Sequence, residues 1–230
     1  MTNMLCESAF FGVVISLLAY KLGLRLKKKF GLPIFNPLLI SIAVVIVFLA
    51  VFDIDYQNYN DGAKYLSYLL TPATVCLAIP LYEQMEALKK NIKAILAGIL
   101  SGVLTSLTVV LVLALIFNLN HKMYVTLLPK SITTAIGMGV SEELGGAVTI
   151  TVAVIIITGV LGNMLAETLC KLFHIEEPIA KGIGIGSASH AIGTAKAMEM
   201  GDVEGAMSSL SIAVAGILTV VGASIYAMFI

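Results

Sequence analysis

Apolar runs of bilayer length, repeated seven or eight times along 230 residues, constrain this chain more than any other feature. A hydrocarbon core is crossed by about 20 helical residues. Runs of that order occupy 7–23, 36–53, 64–84, 94–117, 124–141, 147–172, 178–200 and 205–230. They are continuous rather than alternating, which favours helices over the strands of a β-barrel. Composition agrees: 59% of residues are hydrophobic and 12% are charged, against roughly a quarter charged in soluble domains. Too little polar material exists to cover a water-facing surface, so lipid is the required partner. The expected fold is an all-α polytopic membrane protein, a single integral membrane domain over 1–230, with seven or eight transmembrane or re-entrant segments.

Charge orients the runs. Lys21, Arg25, Lys27, Lys28 and Lys29 follow the first run rather than precede it. That is the pattern of an uncleaved first span with its C-terminal flank inside. The acidic loop from Asp53 to Asp61 then falls outside, and Lys89, Lys90 and Lys93 fall inside. The mixed loop 171–181 takes its side from whether 124–141 crosses or re-enters. No general basic surface exists, which excludes nucleic acid as a partner. Cys6, Cys76 and Cys170 have no metal-ligand spacing and read as small apolar fillers. No Walker motif, zinc pattern or nucleophile–base arrangement is present, so neither an enzyme nor a cofactor is expected.

Several runs are interrupted. Segment 64–84 contains Pro72 and Pro80, segment 124–141 contains Pro129, Lys130, Gly137 and Gly139, and segment 178–200 is the most polar of all. Ala97-Gly-Ile-Leu100 recurs as Ala215-Gly-Ile-Leu218. With that offset, broken 64–84 falls on broken 182–202, which suggests repeat halves 1–118 and 119–230, inverted or parallel. Paired interrupted helices are the sequence pointer to a transporter binding site.

The chemistry concentrates in the interruptions. Ser187, Ser189, His190, Thr194, Lys196 and Glu199 share one short stretch studded with glycine. An unsatisfied polar group in hydrocarbon costs several kcal/mol, and ionisable groups at this depth usually face a cavity or a partner. Unwound backbone at a half-helix N-terminus presents N–H groups suited to an anion. Lys130, Ser131, Thr133 and Thr134 form a second constellation, and Thr71 beside Pro72 a milder one. The expected substrate-binding set is therefore Lys130, Ser131, Thr133, Thr134, Ser187, Ser189, His190, Thr194, Lys196 and Thr71. Glu167, four residues after Asn163, is placed to pair with Lys130 or Lys196, or to carry a proton. His190 titrates near neutrality and shares the proton-coupling expectation. A competing reading is that Gly182 and Gly186 simply let helices pack closely.

The motifs Leu128-Pro-Lys-Ser-Ile-Thr-Thr134, Gly186-Ser-Ala-Ser-His-Ala-Ile-Gly-Thr-Ala-Lys-Ala-Met-Glu-Met-Gly201 and Glu204-Gly-Ala-Met-Ser-Ser-Leu210, with Pro80-Leu-Tyr-Glu-Gln84, resemble the LrgB/CidB family over essentially the whole chain. Ala135 departs from the proline that the family commonly has there. The resemblance implies residence in the bacterial cell membrane and two alternative activities. One is an antiholin-like role in murein hydrolase export or activity and in autolysis, with a small LrgA-like membrane partner. The other is transport of small carboxylates of the pyruvate or glycolate type. Bottom-up, the broken polar helices favour a secondary monocarboxylate carrier, possible proton coupling included. An oligomeric pore or regulator, a homo-oligomer needing no such site, is the alternative.

Overall fold

The computed structural model describes residues 10–31 and 35–230. Cys6 lies outside the described residues. The described residues contain helices and no strand, the all-α membrane architecture expected. Among the described residues, four helical stretches are long and apolar enough to cross a membrane: Tyr56–Glu83, Met85–Ile116, Val148–Leu172 and Asp202–Phe229. Pro37–Val51 is a shorter apolar helix. The chain divides into two compact units, Met1–Cys76 and Leu77–Ile230.

In the first unit, α1 (Phe11–Phe30) packs on α2 (Pro37–Val51) and α3 (Tyr56–Ser67), and α4 (Leu70–Cys76) follows. Two glycines of α1 permit the contact. Gly12 lies against the backbone of Tyr59 and Ala63, and Gly23 against Pro37. Gly31, at φ 65°, ends α1 in the left-handed turn that glycine adopts without penalty. Asn36 starts α2, its side chain accepting from the N–H groups of Leu38 and Leu39, with Pro37 in the first turn. Pro72 offers no N–H to the carbonyl of Tyr68, and the helix breaks there, between α3 and α4. Cys76, read as a filler, is exposed.

The second unit comprises α5 (Ala78–Glu83), α6 (Met85–Ile116), α7 (His121–Leu127), α8 (Thr134–Glu143), α9 (Val148–Leu172), α10 (Pro178–Met200) and α11 (Asp202–Tyr226). Its apolar core joins α6 to α11, α7, α8 and the start of α10, through Ile99, Leu107, Tyr124, Leu128, Ile183 and Met207 among others.

α10 is not one helix. Ser189 and His190 leave helical geometry, with His190 at φ 43° and ψ −147°, and the chain reverses there. Up to the break α10 runs parallel to α11: Gly182 meets Glu204 and Met207, and Gly186 meets Ser208 and Ser211. After it the direction is opposite, since Thr194 bonds Ser208 while Gly205 lies against Met198. Gly193 also rests on the side chain of Ile185. In a continuous helix those two would stand about 12 Å apart. Residues 178–188 and 191–200 are thus two legs of a re-entrant hairpin, hereafter hairpin 2. Each leg is about 15 Å long, half of the roughly 30 Å hydrocarbon core.

Segment 124–141 behaves in the same way from the other face. α7 and α8 are legs joined by the turn 128–133. Gly137 of α8 comes back beside the carbonyl of Pro129. This is hairpin 1. Opposite faces follow from the flanking contacts. Hairpin 2 starts beside the N-terminal end of α6, where Glu177 and Asn91 line one cleft and Gly98 and Gly102 meet Ile183 and Ser187. Hairpin 1 starts beside the C-terminal end of α11, where Tyr124 donates to the carbonyl of Tyr226 at 2.8 Å and His121 reaches Ile230. The question whether 124–141 crosses or re-enters is thereby answered: it re-enters.

Each hairpin is followed by one span, α9 or α11, and the two hairpin–span pairs point in opposite directions. The sequences of the tips agree. Ser131-Ile-Thr-Thr-Ala-Ile-Gly137 aligns with Ser187-Ala-Ser-His-Ala-Ile-Gly193, followed by Glu143 against Glu199 and Gly145 against Gly201. Within this unit, the counterpart of 178–200 is 122–144, a closer match than the 64–84 segment paired with it from sequence. Glu142 and Glu143 form the exposed last turn of α8.

Two outcomes are expected. A valine at Gly186, against the backbone of Ser208, should destabilise the detergent-solubilised protein by about 1–3 kcal/mol. Alanine at Gly184, where nothing lies within 4 Å, should be neutral or gain up to about 1 kcal/mol. Thermal unfolding of the two variants checks the contrast. Cysteines placed at Ile175 and Asp202 should react with an impermeant thiol reagent from one face of the membrane, and a cysteine at Lys122 from the other. Labelling of 175 and 202 from opposite faces would rule the hairpin out.

Candidate functional site

The tips of the two hairpins converge on Ile155, in the middle of α9. Its side chain lies against Gly137 of hairpin 1. Its carbonyl accepts a hydrogen bond from His190 Nε2 of hairpin 2 at 3.0 Å. A carbonyl can only accept, so Nε2 carries a proton. Gly159 makes room for the ring: a Cβ there would stand 2.6 Å from the imidazole. Gly162 does the same for Ser189. The positive φ of a non-glycine residue costs of order 1–3 kcal/mol, and the ring bond, with the Thr194 hydroxyl donating to the His190 carbonyl at 3.0 Å, helps to hold it.

Of the expected residues in hairpin 2, Ser189, His190 and Thr194 are buried together at the tip. Ser189 donates to the carbonyl of Ile185, and Thr194 shares a 2.7 Å bond with Ser208 of α11. Ser187 is buried one turn earlier, against Gly102 of α6, its hydroxyl donating to Ile183. Gly182 and Gly186 do serve close packing, so the packing and polar readings of this segment hold together. Ser208 and Ser211, buried on α11, complete the polar cluster. In the sequence Ser208 stood out only within a family motif and Ser211 not at all, because serines in an apolar helix carry no spacing signal.

Lys196 lies elsewhere. It sits near the foot of the second leg, 3.0 Å from Glu167 of α9 and 3.4 Å from Glu199. Glu167 is also held by Lys171 at 2.9 Å. Of its two expected partners it therefore takes Lys196. Lys181, at the foot of the first leg, approaches Glu204 of α11 at 3.9 Å. Glu167, Lys181, Lys196 and Glu204 border a cavity of about 480 Å³.

In hairpin 1, Lys130 Nζ donates to Ser131 at 3.0 Å, and Ser131 shares a 3.0 Å bond with Ser106 of α6. Among the described residues no carboxylate pairs with Lys130. Thr133 and Thr134 start α8, and no side chain caps its N-terminus. The outer part of the hairpin is fastened by a neutral network. Thr151 of α9 bonds Ser141 at 2.7 Å and the Thr126 carbonyl at 2.9 Å, while Thr126 accepts from the N–H of Ala147. Thr71 is exposed on α4 in the first unit and forms none of these contacts. The ten expected residues thus fall into two tip clusters, a charged foot and one outlier.

The described residues contain no group of three His, Cys, Asp or Glu side chains able to hold a metal ion. No solved structure matches the chain. Relatives do. Antiholin-like protein LrgB from Bacillus mycoides (strain KBAB4) and its counterparts from Bacillus cereus (strain B4264) and Bacillus anthracis (strain CDC 684 / NRRL 3495) are each 40% identical over 222 residues, covering 96% of either chain. The profile of the LrgB-like family matches residues 16–229. With that match and the shared hairpin motifs, the chain belongs to the LrgB-like family.

Proposed function

We propose that the protein is a secondary transporter that carries a small organic anion, of the monocarboxylate class, across the bacterial cell membrane. The observation that carries this reading is Lys130. It is a cation at the tip of a re-entrant hairpin, bonded to hydroxyls and with no carboxylate partner among the described residues. An isolated charge at such depth is costly, and an anionic ligand is its natural counter-ion. Two half-helices, α8 from Thr134 and the second leg from Ala191, begin at the tips with their N-terminal ends directed there. Their N–H groups and positive dipole ends add to the attraction. The hydroxyls of Ser131 and Thr133 supply further donors, whereas those of Ser189 and Thr194 are committed to the carbonyls of Ile185 and His190 and shape the tip. Under this reading His190 carries the coupled proton, because Glu167 is already occupied by two lysines.

A second reading has its own support. The relatives carry the name antiholin-like protein LrgB, so the comparisons favour an antiholin-like role, for which the family resemblance implies murein hydrolase export and autolysis, while the carrier reading rests on geometry. This second role would involve a homo-oligomer and a small LrgA-like partner. It predicts dye leakage and tolerance of change at the tips.

The readings separate in proteoliposomes. Uptake of labelled pyruvate or glycolate is expected, stimulated by a pH gradient, with no leakage of a larger dye. Lys130→Met should lower uptake roughly 10- to 100-fold, the range for losing a charge-assisted hydrogen bond of about 1.5–3 kcal/mol, while leaving the protein monodisperse. Failure of uptake by the protein alone and with an LrgA-like partner would leave the antiholin-like reading standing.

A further inference from the structure

The two faces of hairpin 2 are held very differently. Toward α6 and α11 it belongs to the main apolar core through Ile183 and meets α11 at Gly182 and Gly186. Toward α9 the fully buried apolar cluster is small, Ala166, Ile185 and Ala197 with Met200, although the elements approach closely where Gly159 meets Ile192 and Gly162 meets Ser189. Polar links do the rest on that side: His190 to the Ile155 carbonyl at the tip, Asn163 to the Ile192 carbonyl at 2.7 Å midway, and Lys196 to Glu167 at the foot. Two cavities lie in this seam. The outer one, about 480 Å³, is bordered by Glu167, Lys196 and Glu204. The inner one, about 160 Å³, extends from Lys181 to Gly162 and Ser189 at the tip. Cys170, Ile175 and Lys181 line both.

We infer that the seam between α9 and hairpin 2 is the route by which the anion passes between the tip site and the lysine-rich, cytoplasmic face, and that the Lys196–Glu167 pair latches its mouth. This rests on the transport reading above. The chemistry of the mouth suits an anion, and the narrower inner cavity is lined mainly by small and apolar residues, with Lys181 and Ser189 at its ends. Lys181 and Lys196 stand at the mouth, and each is neutralised in the closed state by a glutamate on a neighbouring span. A passing carboxylate replaces Glu167 as the partner of Lys196, so no charge is left bare. Ion pairs bordering a water-accessible cavity contribute little net stability, so such a latch opens at small cost. Among the described residues, hairpin 1 shows no comparable ion-pair fastening to α9. Its tie to α9 is the neutral network of Thr126, Ser141 and Thr151, and the main core includes its Tyr124, Leu128 and Val140.

Cys170 provides a built-in probe, because it is buried and lines both cavities. With Cys6 and Cys76 replaced by serine, inverted membrane vesicles are treated with 2-sulfonatoethyl methanethiosulfonate. The adduct at Cys170 is followed by mass, and labelled pyruvate uptake is measured in parallel. Slow modification is expected, accelerated severalfold by Glu167→Gln and slowed by pyruvate. The modified protein should lose uptake and regain it with a reductant. Lys196→Gln serves in place of Glu167→Gln if the latter fails to assemble. An unchanged modification rate in the latch variant would overturn the latch, and full uptake with Cys170 fully modified would overturn the route. If untreated protein takes up no pyruvate, the transport reading itself fails, and with it the route, while the modification rates still report whether the seam opens.

Discussion

Lipid offers no hydrogen-bond partners, and that constraint governs everything seen in the second unit. A helix satisfies its own backbone, so it is safe wherever it lies. A helix that stops halfway across is not, unless protein surrounds its end. Both hairpins stop halfway, and both tips are enclosed by α6, α9 and α11. The carbonyl of Ile155 receives the imidazole of His190, and hydroxyls of neighbouring elements pair at Ser106–Ser131 and Thr194–Ser208. No buried side-chain nitrogen or oxygen among the described residues lacks a hydrogen bond. The three long helices thus serve as a sheath that makes interrupted backbone tolerable at depth.

Glycine sets how tightly that sheath closes. Gly102, Gly159 and Gly162 each accept a polar residue of hairpin 2 where a larger residue would exclude it, and Gly182 and Gly186 bring its first leg onto α11. The two roles weighed for the glycine-rich segment, packing and polar chemistry, are therefore one arrangement. Small residues on one element admit hydroxyl and imidazole groups from the next, and the polar atoms find partners because the backbones are close.

Much of this was legible in the sequence, and the limits have physical causes. Membrane class, the interruptions within 124–141 and 178–200, and the polar residues within them were visible because proline, glycine and ionisable groups are conspicuous in an apolar background. The reversal of direction inside 178–200 was not. Helical periodicity continues through both legs, and only two residues, Ser189 and His190, leave helical geometry. The separation of Lys196 from the tip follows from that reversal. A straight helix would place Lys196 beyond His190 along the same path, whereas the fold returns it to the foot beside Glu167. The tip repeat was overshadowed by a longer offset, because Ala-Gly-Ile-Leu matches over four consecutive residues while Ser131–Gly137 and Ser187–Gly193 share the serine and the closing Ala-Ile-Gly but differ between them.

A hairpin that returns to the face it left contributes nothing to the count of crossings. Each hairpin–span pair therefore contains a single passage through the bilayer. Any tandem copy of such a unit must begin on the face where the first one ended, so the second is inserted upside down without any change in its own sequence. Opposed tips then follow from tandem repetition of such a unit alone. The two hairpins differ where their ionisable groups lie: position 190 is histidine where the matching position is Thr134, and position 130 is lysine where the matching position is Gly186.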